Sequence, residues 1–304
     1  RRAIANFVNI VTGKNIPVRF SSKGDSYTDG KVVTISANIV EPKEFDPAVG
    51  LALHEGSHIK LSDFGLLHEL ESRIIKKLGK AKYDELATIS KSKNLNDFIY
   101  VIKDILNYVE DRRIDNFIYK SAPGYRDYYK SMYDKYFNDP SIDKGMQSDE
   151  FCNETFESYM FRLINLHSKF SKLNALKQLP NIARTIKLNE ISRLRSTDEA
   201  LDVAIAVFEL IINAIEPIDP SKQKSKGKGN GNGSKQAGEG EQEAGEDDID
   251  VEIGDDEDGS DGMGDDGEAE FDEAAGDNDV AEEGKGIMGK IKVLSLIHIS
   301  EPTR

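Results

Sequence analysis

Between Glu239 and Glu283 the chain carries 23 aspartates and glutamates and no lysine or arginine. Self-repulsion and a shortage of apolar residues leave such a stretch too little surface to bury against the entropy of ordering it, so disorder is predicted. The run before it, SKQKSKGKGNGNGSKQ, is basic and rich in glycine and serine, and reads as linker. The fold is therefore sought in residues 1–216, followed by a charged linker over 217–292. Residues 1–216 hold 31 Lys+Arg against 30 Asp+Glu, so the net charge of -15 belongs to the tail and the body is almost neutral. A neutral body gives no footprint for specific nucleic-acid binding. The segment 293–304 contains LSLIHISEPTR, which resembles translated sequencing adaptor at the end of an assembled fragment. A short genuine strand is the alternative there. The start, RRAIANF, lacks Met and reads as a fragment or a processed end.

Within the body the hydrophobic period changes once. RRAIANFVNIVTG predicts a short helix ended by Gly13. IPVRFS and KVVTISAN are β-branched runs separated by a turn at YTDG, which predicts two or three strands of a small sheet. FDPAVGLALHEGSHIKLSDFG then reads as a helix, with Asp46 as N-cap, Pro47 at its first position and Gly65 just past its end. From there to about Glu216 the pattern is helical, and the last segment carries Ser196 or Thr197 as N-cap. The predicted class is α+β, mostly α: a small N-terminal sheet packed on the HEGSH helix, then a helical bundle. The single Cys152 excludes an internal disulfide framework and an all-cysteine zinc site. No apolar run approaches the roughly 18 residues of a membrane span, so no membrane partner is expected. The composition suits the cytoplasm, which would be that of a bacterial host if the chain is phage-encoded.

HEGSH carries the chemistry. Residues four apart share one helix face, so His54 and His58 can both present a ring nitrogen to one Zn²⁺. Glu55, between them, sits where it can take a proton from water beside the metal. A surface helix with two unrelated histidines is the plain alternative. Zinc needs a further protein ligand. A Gly and a His three and six residues after His58 would extend the motif, but Leu61 and Phe64 stand there. His68 and Asp63 are nearer in sequence, and both fit capping or surface roles better. On NYVEDRRID, helical phase gathers Phe98, Ile102, Ile105, Leu106 and Val109 on one side, with Glu110 on its flank. Asp104, Asp111 and Asp115 fall opposite. A carboxylate turned toward a core must be paired or metal-bound, which selects Glu110 as third ligand and leaves Asp111 in reserve. Asn107 and Arg113 are candidates for holding a ligand or substrate, Arg113 by balancing acids or developing negative charge. Tyr125, in the tyrosine-rich SAPGYRDYYKSMYDKYF, is a candidate oxyanion donor.

HEGSH followed about fifty residues later by NYVEDRRID resembles the zincin-type, gluzincin-like metallopeptidases of bacteriophages and of bacterial operons with von Willebrand A domains. The resemblance implies a glutamate third ligand, for which the E-D pair matches Glu110 and Asp111. It further implies a protein or peptide substrate, and a von Willebrand A domain following the linker and lost by truncation. Zinc-dependent peptide hydrolysis with Glu55 as the base is thus expected. The alternative is an inactive zincin-fold module that binds a protein partner. The Asp-rich run IGDDEDGSDGMGDDGEAE lacks calcium-loop spacing, and KGKGNGNG lacks the strand and helix of a phosphate loop.

Overall fold

The computed structural model describes residues 1–21, 26–36, 42–95, 97–138, 140–215 and 298–299. Contacts divide the chain into two units, Arg1–Asp219 with Gly284–Arg304, and Pro220–Glu283. All described residues belong to the first unit, and the expected disordered linker lies outside them.

Helix α1 (Arg2–Thr12) stops at Gly13, as the sequence predicts. The sheet follows. Strand β3 (Val33–Ser36) is flanked by β1 (Val18–Ser21), which runs parallel, and β2 (Tyr27–Thr28), which runs antiparallel. The turn predicted at YTDG sits slightly later, because Tyr27 and Thr28 are themselves strand, paired with Thr34 and Val33. Asp29 closes the turn, its Oδ1 accepting from the backbone N–H groups of Lys31 and Val32 at 2.8 Å each. The pair His298–Ile299 (β4) adds parallel to β2, giving the order β1-β3-β2-β4.

Helix α2 (Phe45–Leu61) carries HEGSH. It begins at Phe45, directly after a 3₁₀ turn at Pro42–Glu44, so Asp46 lies in its first turn and does not cap it. It ends when Ser62 turns extended, and Gly65 falls inside the short helix α3 (Phe64–His68), which Asp63 caps by accepting from Leu66 N–H. Two glycines bring neighbours close to α2. A Cβ on Gly50 would lie 2.5 Å from the Tyr128 carbonyl oxygen, and one on Gly56 would lie 2.9 Å from Val11 Cγ1. Helix α7 (Arg126–Tyr136) and α1 can therefore approach the backbone of α2 on two sides. Ile4, Val8, Val33, Ile35, Val49, Leu53 and Met132 fill the core between them.

The rest of the body is helical: α4 (Leu70–Leu78), α5 (Lys80–Ser92), the long α6 (Phe98–Ser121), α7, α8 (Pro140–Gln147), α9 (Phe156–Ile164), α10 (Leu179–Ile186) and α11 (Thr197–Ala214). Ser196 caps α11, accepting from Glu199 N–H at 3.2 Å. A second core joins Ile102, Ile105, Leu106 and Val109 of α6 to Ala204, Phe208 and Ile211 of α11. Helix α6 stands between the two cores, touching α11 on one side and α2 on the other. The class is α+β with helices dominant. Among the described residues no helix is long and apolar enough to cross a membrane.

Candidate metal centre

The i, i+4 spacing on α2 puts His54 and His58 on its α6-facing side, and both rings are fully buried. Their Nε2 atoms lie 3.2 Å apart. Asp111 of α6 brings Oδ1 to 3.2 Å from His58 Nε2 and 3.7 Å from His54 Nε2. Zinc–nitrogen bonds of about 2.0–2.1 Å in a tetrahedral shell put neighbouring ligand atoms roughly 3.3 Å apart. The three atoms are thus spaced as three ligands of one ion, and among the described residues they form the one such group.

The outer hydrogen bonds fix which nitrogens face inward. His54 Nδ1 lies 2.7 Å from Asp115 Oδ1, and the Tyr133 hydroxyl donates to the other oxygen of Asp115. His58 Nδ1 lies 3.0 Å from Ser62 Oγ, whose hydroxyl donates onward to Glu110 Oε1 at 2.8 Å. Asp115 is held below the usual carboxylate range: His54, the Tyr133 bond and Arg112 together outweigh its burial. It therefore accepts, and so does the Ser62 oxygen. Both Nδ1 atoms then carry the proton, assigned from this network, and both Nε2 lone pairs turn inward. With both rings neutral, two lone pairs and a carboxylate oxygen converge there, which is the donor set a divalent cation requires.

Without a metal, protons supply that positive charge. Burial alone would lower the His54 pKa, but Asp115 and Asp111 outweigh it and raise it to about 9. Glu55, fully buried, is pushed up to about 8 by burial, against the pull of His54. Both Glu55 oxygens lack a protein hydrogen-bond partner. Seven of the twelve such buried polar atoms among the described residues belong to Glu55, Asn107, Tyr108, Asp111 and Arg112. Buried polar atoms are rarely left unpaired, so this concentration marks a place built for a polar ligand.

The predicted ligand Glu110 is not in this group. Its Oε1 accepts from Ser62 and Thr197, each at 2.8 Å, and Arg113 grips both oxygens, Nε on Oε2 at 2.8 Å and a terminal nitrogen on Oε1 at 2.5 Å. The buried carboxylate is satisfied by a cation and two hydroxyls, and it ties α6 to the end of α2 and the start of α11. The reserve candidate Asp111 supplies the carboxylate of the cluster that could hold an ion. The phase argument failed because it assigned Asp111 and Asp115 to water, whereas that side of α6 faces α2. Arg113 balances this acid through its ion pair with Glu110, and its third bond goes to the Leu61 carbonyl at 2.8 Å. Asn107 lies one turn before Asp111 and lines the same crevice, with both amide atoms unpartnered. Tyr125 packs edge-on against Phe7, at 5.9 Å between centroids, among the residues around the first core. Two tyrosines of α7 border the centre: Tyr133 donates to Asp115, and the Tyr129 hydroxyl lies 3.5 Å from Ser57 Oγ. His68 is exposed at the end of α3.

Sequence reasoning missed Asp115, Tyr133, Ser62 and Thr197 as supports. The signals were present for two of them: Asp111 and Asp115 are four apart on α6, and Tyr129 and Tyr133 four apart on α7. Ser62 and Thr197 carry no such signal. Comparison with protein-family models, with curated proteins and with solved structures gives no match.

Proposed function

We propose that the chain is a zinc-dependent metallopeptidase with His54, His58 and Asp111 as the protein ligands of the ion. The observation that carries this reading is the convergence of three potential ligand atoms beside an unpartnered carboxylate. Zinc bound there would polarise a substrate carbonyl and lower the pKa of water beside it. Glu55 directly follows His54, between the two histidines, and both its oxygens lack a hydrogen-bond partner, so they can accept a proton from that water. Asp115, itself oriented by Tyr133, keeps His54 in the tautomer that offers Nε2. The chain of Ser62 and Glu110 does the same for His58. The substrate class, a protein or peptide, rests on the motif and its resemblance to zincins.

The test is Glu55→Gln in the zinc-loaded protein, assayed on casein and on a peptide library with and without chelator. Zinc content should be retained while chelator-sensitive cleavage disappears. Cleavage at the unaltered rate would sink the mechanism.

One observation favours a second reading. His54, Glu55 and His58 have 0% exposure, and the crevice above Asp111 has a volume of about 10 Å³, room for about one water molecule. A module that holds metal for structure or for binding a protein partner would look like this. Such a module binds zinc and cleaves nothing in the same assay.

A further inference from the structure

Among the described residues, the guanidinium of Arg112 is the one buried positive group near the centre with no hydrogen bond or ion pair to a carboxylate. Its Cζ lies 5.0 Å from the ring centroid of Tyr133, 5.1 Å from Phe137 and 5.4 Å from Tyr108. The residue is 8% exposed, and its Nε has no hydrogen-bond partner. The acids nearby are committed elsewhere. Asp115 binds His54 and Tyr133, Asp111 lies against His58, and Asp134 accepts from Asn138 at 2.7 Å. Three aromatic neighbours stabilise the charge through their ring faces but accept none of its in-plane N–H bonds. Arg113, the next residue, is the contrast: it spends its N–H groups on Glu110 and a backbone carbonyl. A guanidinium presents a planar fork matched to a carboxylate, and holding one buried without such a partner is costly.

Arg112 also lies at a junction. It lines the small crevice with Asp111 and Asn107, and it lines a pocket of about 410 Å³ with Asn116, Lys130, His167 and the already bonded Asp115 and Asp134. The Asn116 side-chain oxygen in that pocket is likewise unpartnered, an acceptor for a backbone N–H. We infer that Arg112 anchors a carboxylate subsite in this pocket, so that the peptide recognised carries a carboxylate close to the metal centre. This deepens the peptidase reading and rests on it for the word substrate, although the binding itself does not require turnover. Two sources offer the same chemistry: the free C-terminal carboxylate of a peptide, or a glutamate or aspartate side chain within one.

The experiment is a calorimetric titration of the zinc-loaded full chain carrying Glu55→Gln, which stops turnover. Three N-acetylated tetrapeptides serve as probes: a neutral one as free acid, the same one amidated, and an amidated one with an internal glutamate. At least one carboxylate-bearing probe should bind about ten- to hundredfold tighter than the neutral amide, the range of a charge-assisted hydrogen bond. Tighter binding of the free acid identifies a chain terminus, and tighter binding of the glutamate probe an acidic side chain. Adding Arg112→Met should abolish the preference and leave the neutral amide unchanged. Arg112→Lys keeps a charge between the rings but loses the fork, so it should lose most of the preference too. That variant decides the matter if the methionine protein fails to fold. Equal binding of all three probes, no binding of any, or a preference that survives at residue 112 would overturn the inference. In a parallel assay of unsubstituted protein, absent cleavage together with an Arg112-dependent preference removes the peptidase reading and leaves the subsite standing.

Discussion

Glu110 and Asp111 are consecutive on α6, yet their carboxylates do different work. Asp111 points Oδ1 at the Nε2 atoms of His54 and His58, 3.7 and 3.2 Å away, while Glu110 is closed into a buried pair with Arg113. One step along a helix turns the side chain by about 100°, enough to send neighbours into different surroundings. The two acids are still connected, because Glu110 reaches His58 through Ser62.

That division predicts opposite phenotypes. Asp111→Ala should lose bound zinc while keeping the fold, because it removes a ligand. Glu110→Ala should keep zinc but lose about 3–5 kcal/mol of stability, since Arg113 is left as an uncompensated buried charge. Metal analysis after dialysis and urea unfolding of both variants check this. Zinc lost from the Glu110 variant and kept by the Asp111 variant would reverse the assignment.

Asp115→Asn removes the charge that orients His54 without removing a ligand. Outer partners of metal-bound histidines are worth about 10–100-fold in metal affinity. Competition against a chromophoric chelator should show a loss of that size, with full zinc loading restored at excess metal. Tyr133→Phe should give a smaller loss in the same direction, because it acts on His54 only through Asp115.

Metal-free protein should become less stable as the pH rises from about 6.5 to 9; below 6.5 the change at Glu55 is opposed by His167, whose pKa burial lowers to about 4. His54 has a folded pKa of about 9, above its ordinary 6.5, so its contribution is fully present below 6.5 and lost on passing 9. Glu55 has a folded pKa of about 8, above its ordinary 4.5, so the folded state also holds that proton longer and stability falls between those values. In the proposed centre zinc would take the place of the protons, so zinc-loaded protein should lose this slope and release protons on binding. Thermal melts across the range, with and without metal, measure it. A metal-free protein that gains stability between about pH 6.5 and 9 would contradict the arrangement of charges around His54.

Gly50→Ala should destabilise by about 1–3 kcal/mol, the usual cost of overpacking, because a Cβ there meets the Tyr128 carbonyl at 2.5 Å and Met132 Cβ at 2.6 Å. The backbone of α7 has to retreat, and α7 carries Tyr129 and Tyr133, so zinc affinity should fall as well. Gly124→Ala is the control, with nothing within 4 Å of its added Cβ, and should change stability by less than about 0.5 kcal/mol. Equal melting temperatures for the two variants would show that α7 is not seated against α2 in this way.

Much of this architecture could be read locally. A β-branched segment between a short helix and a long helical tract gave the small sheet and its neighbours. His54, Glu55 and His58 needed only the period of one helix. Ile102, Ile105, Leu106 and Val109 form the apolar side of α6, as their phase predicts, and they pack against α11. The reading broke down on the other side of that helix. Phase separates an apolar stripe from a polar one, but it does not say whether the polar stripe meets water. Fifteen of the 24 residues of α6 are buried, including Asn107, Asp111, Arg112 and Asp115, so the polar stripe of this helix is interior.

The sequence by itself determined the histidine pair and its glutamate, because those three are placed by hydrogen bonds within a single helix turn. Only the tertiary structure decided which acid joins them. That choice depends on α2 lying across the polar stripe of α6, and on Arg113, Ser62 and Thr197 satisfying Glu110 before it could face the histidines. Those partners lie 3 to 87 residues from Glu110 along the chain, and packing in three dimensions, not local periodicity, brings the distant ones within hydrogen-bond reach.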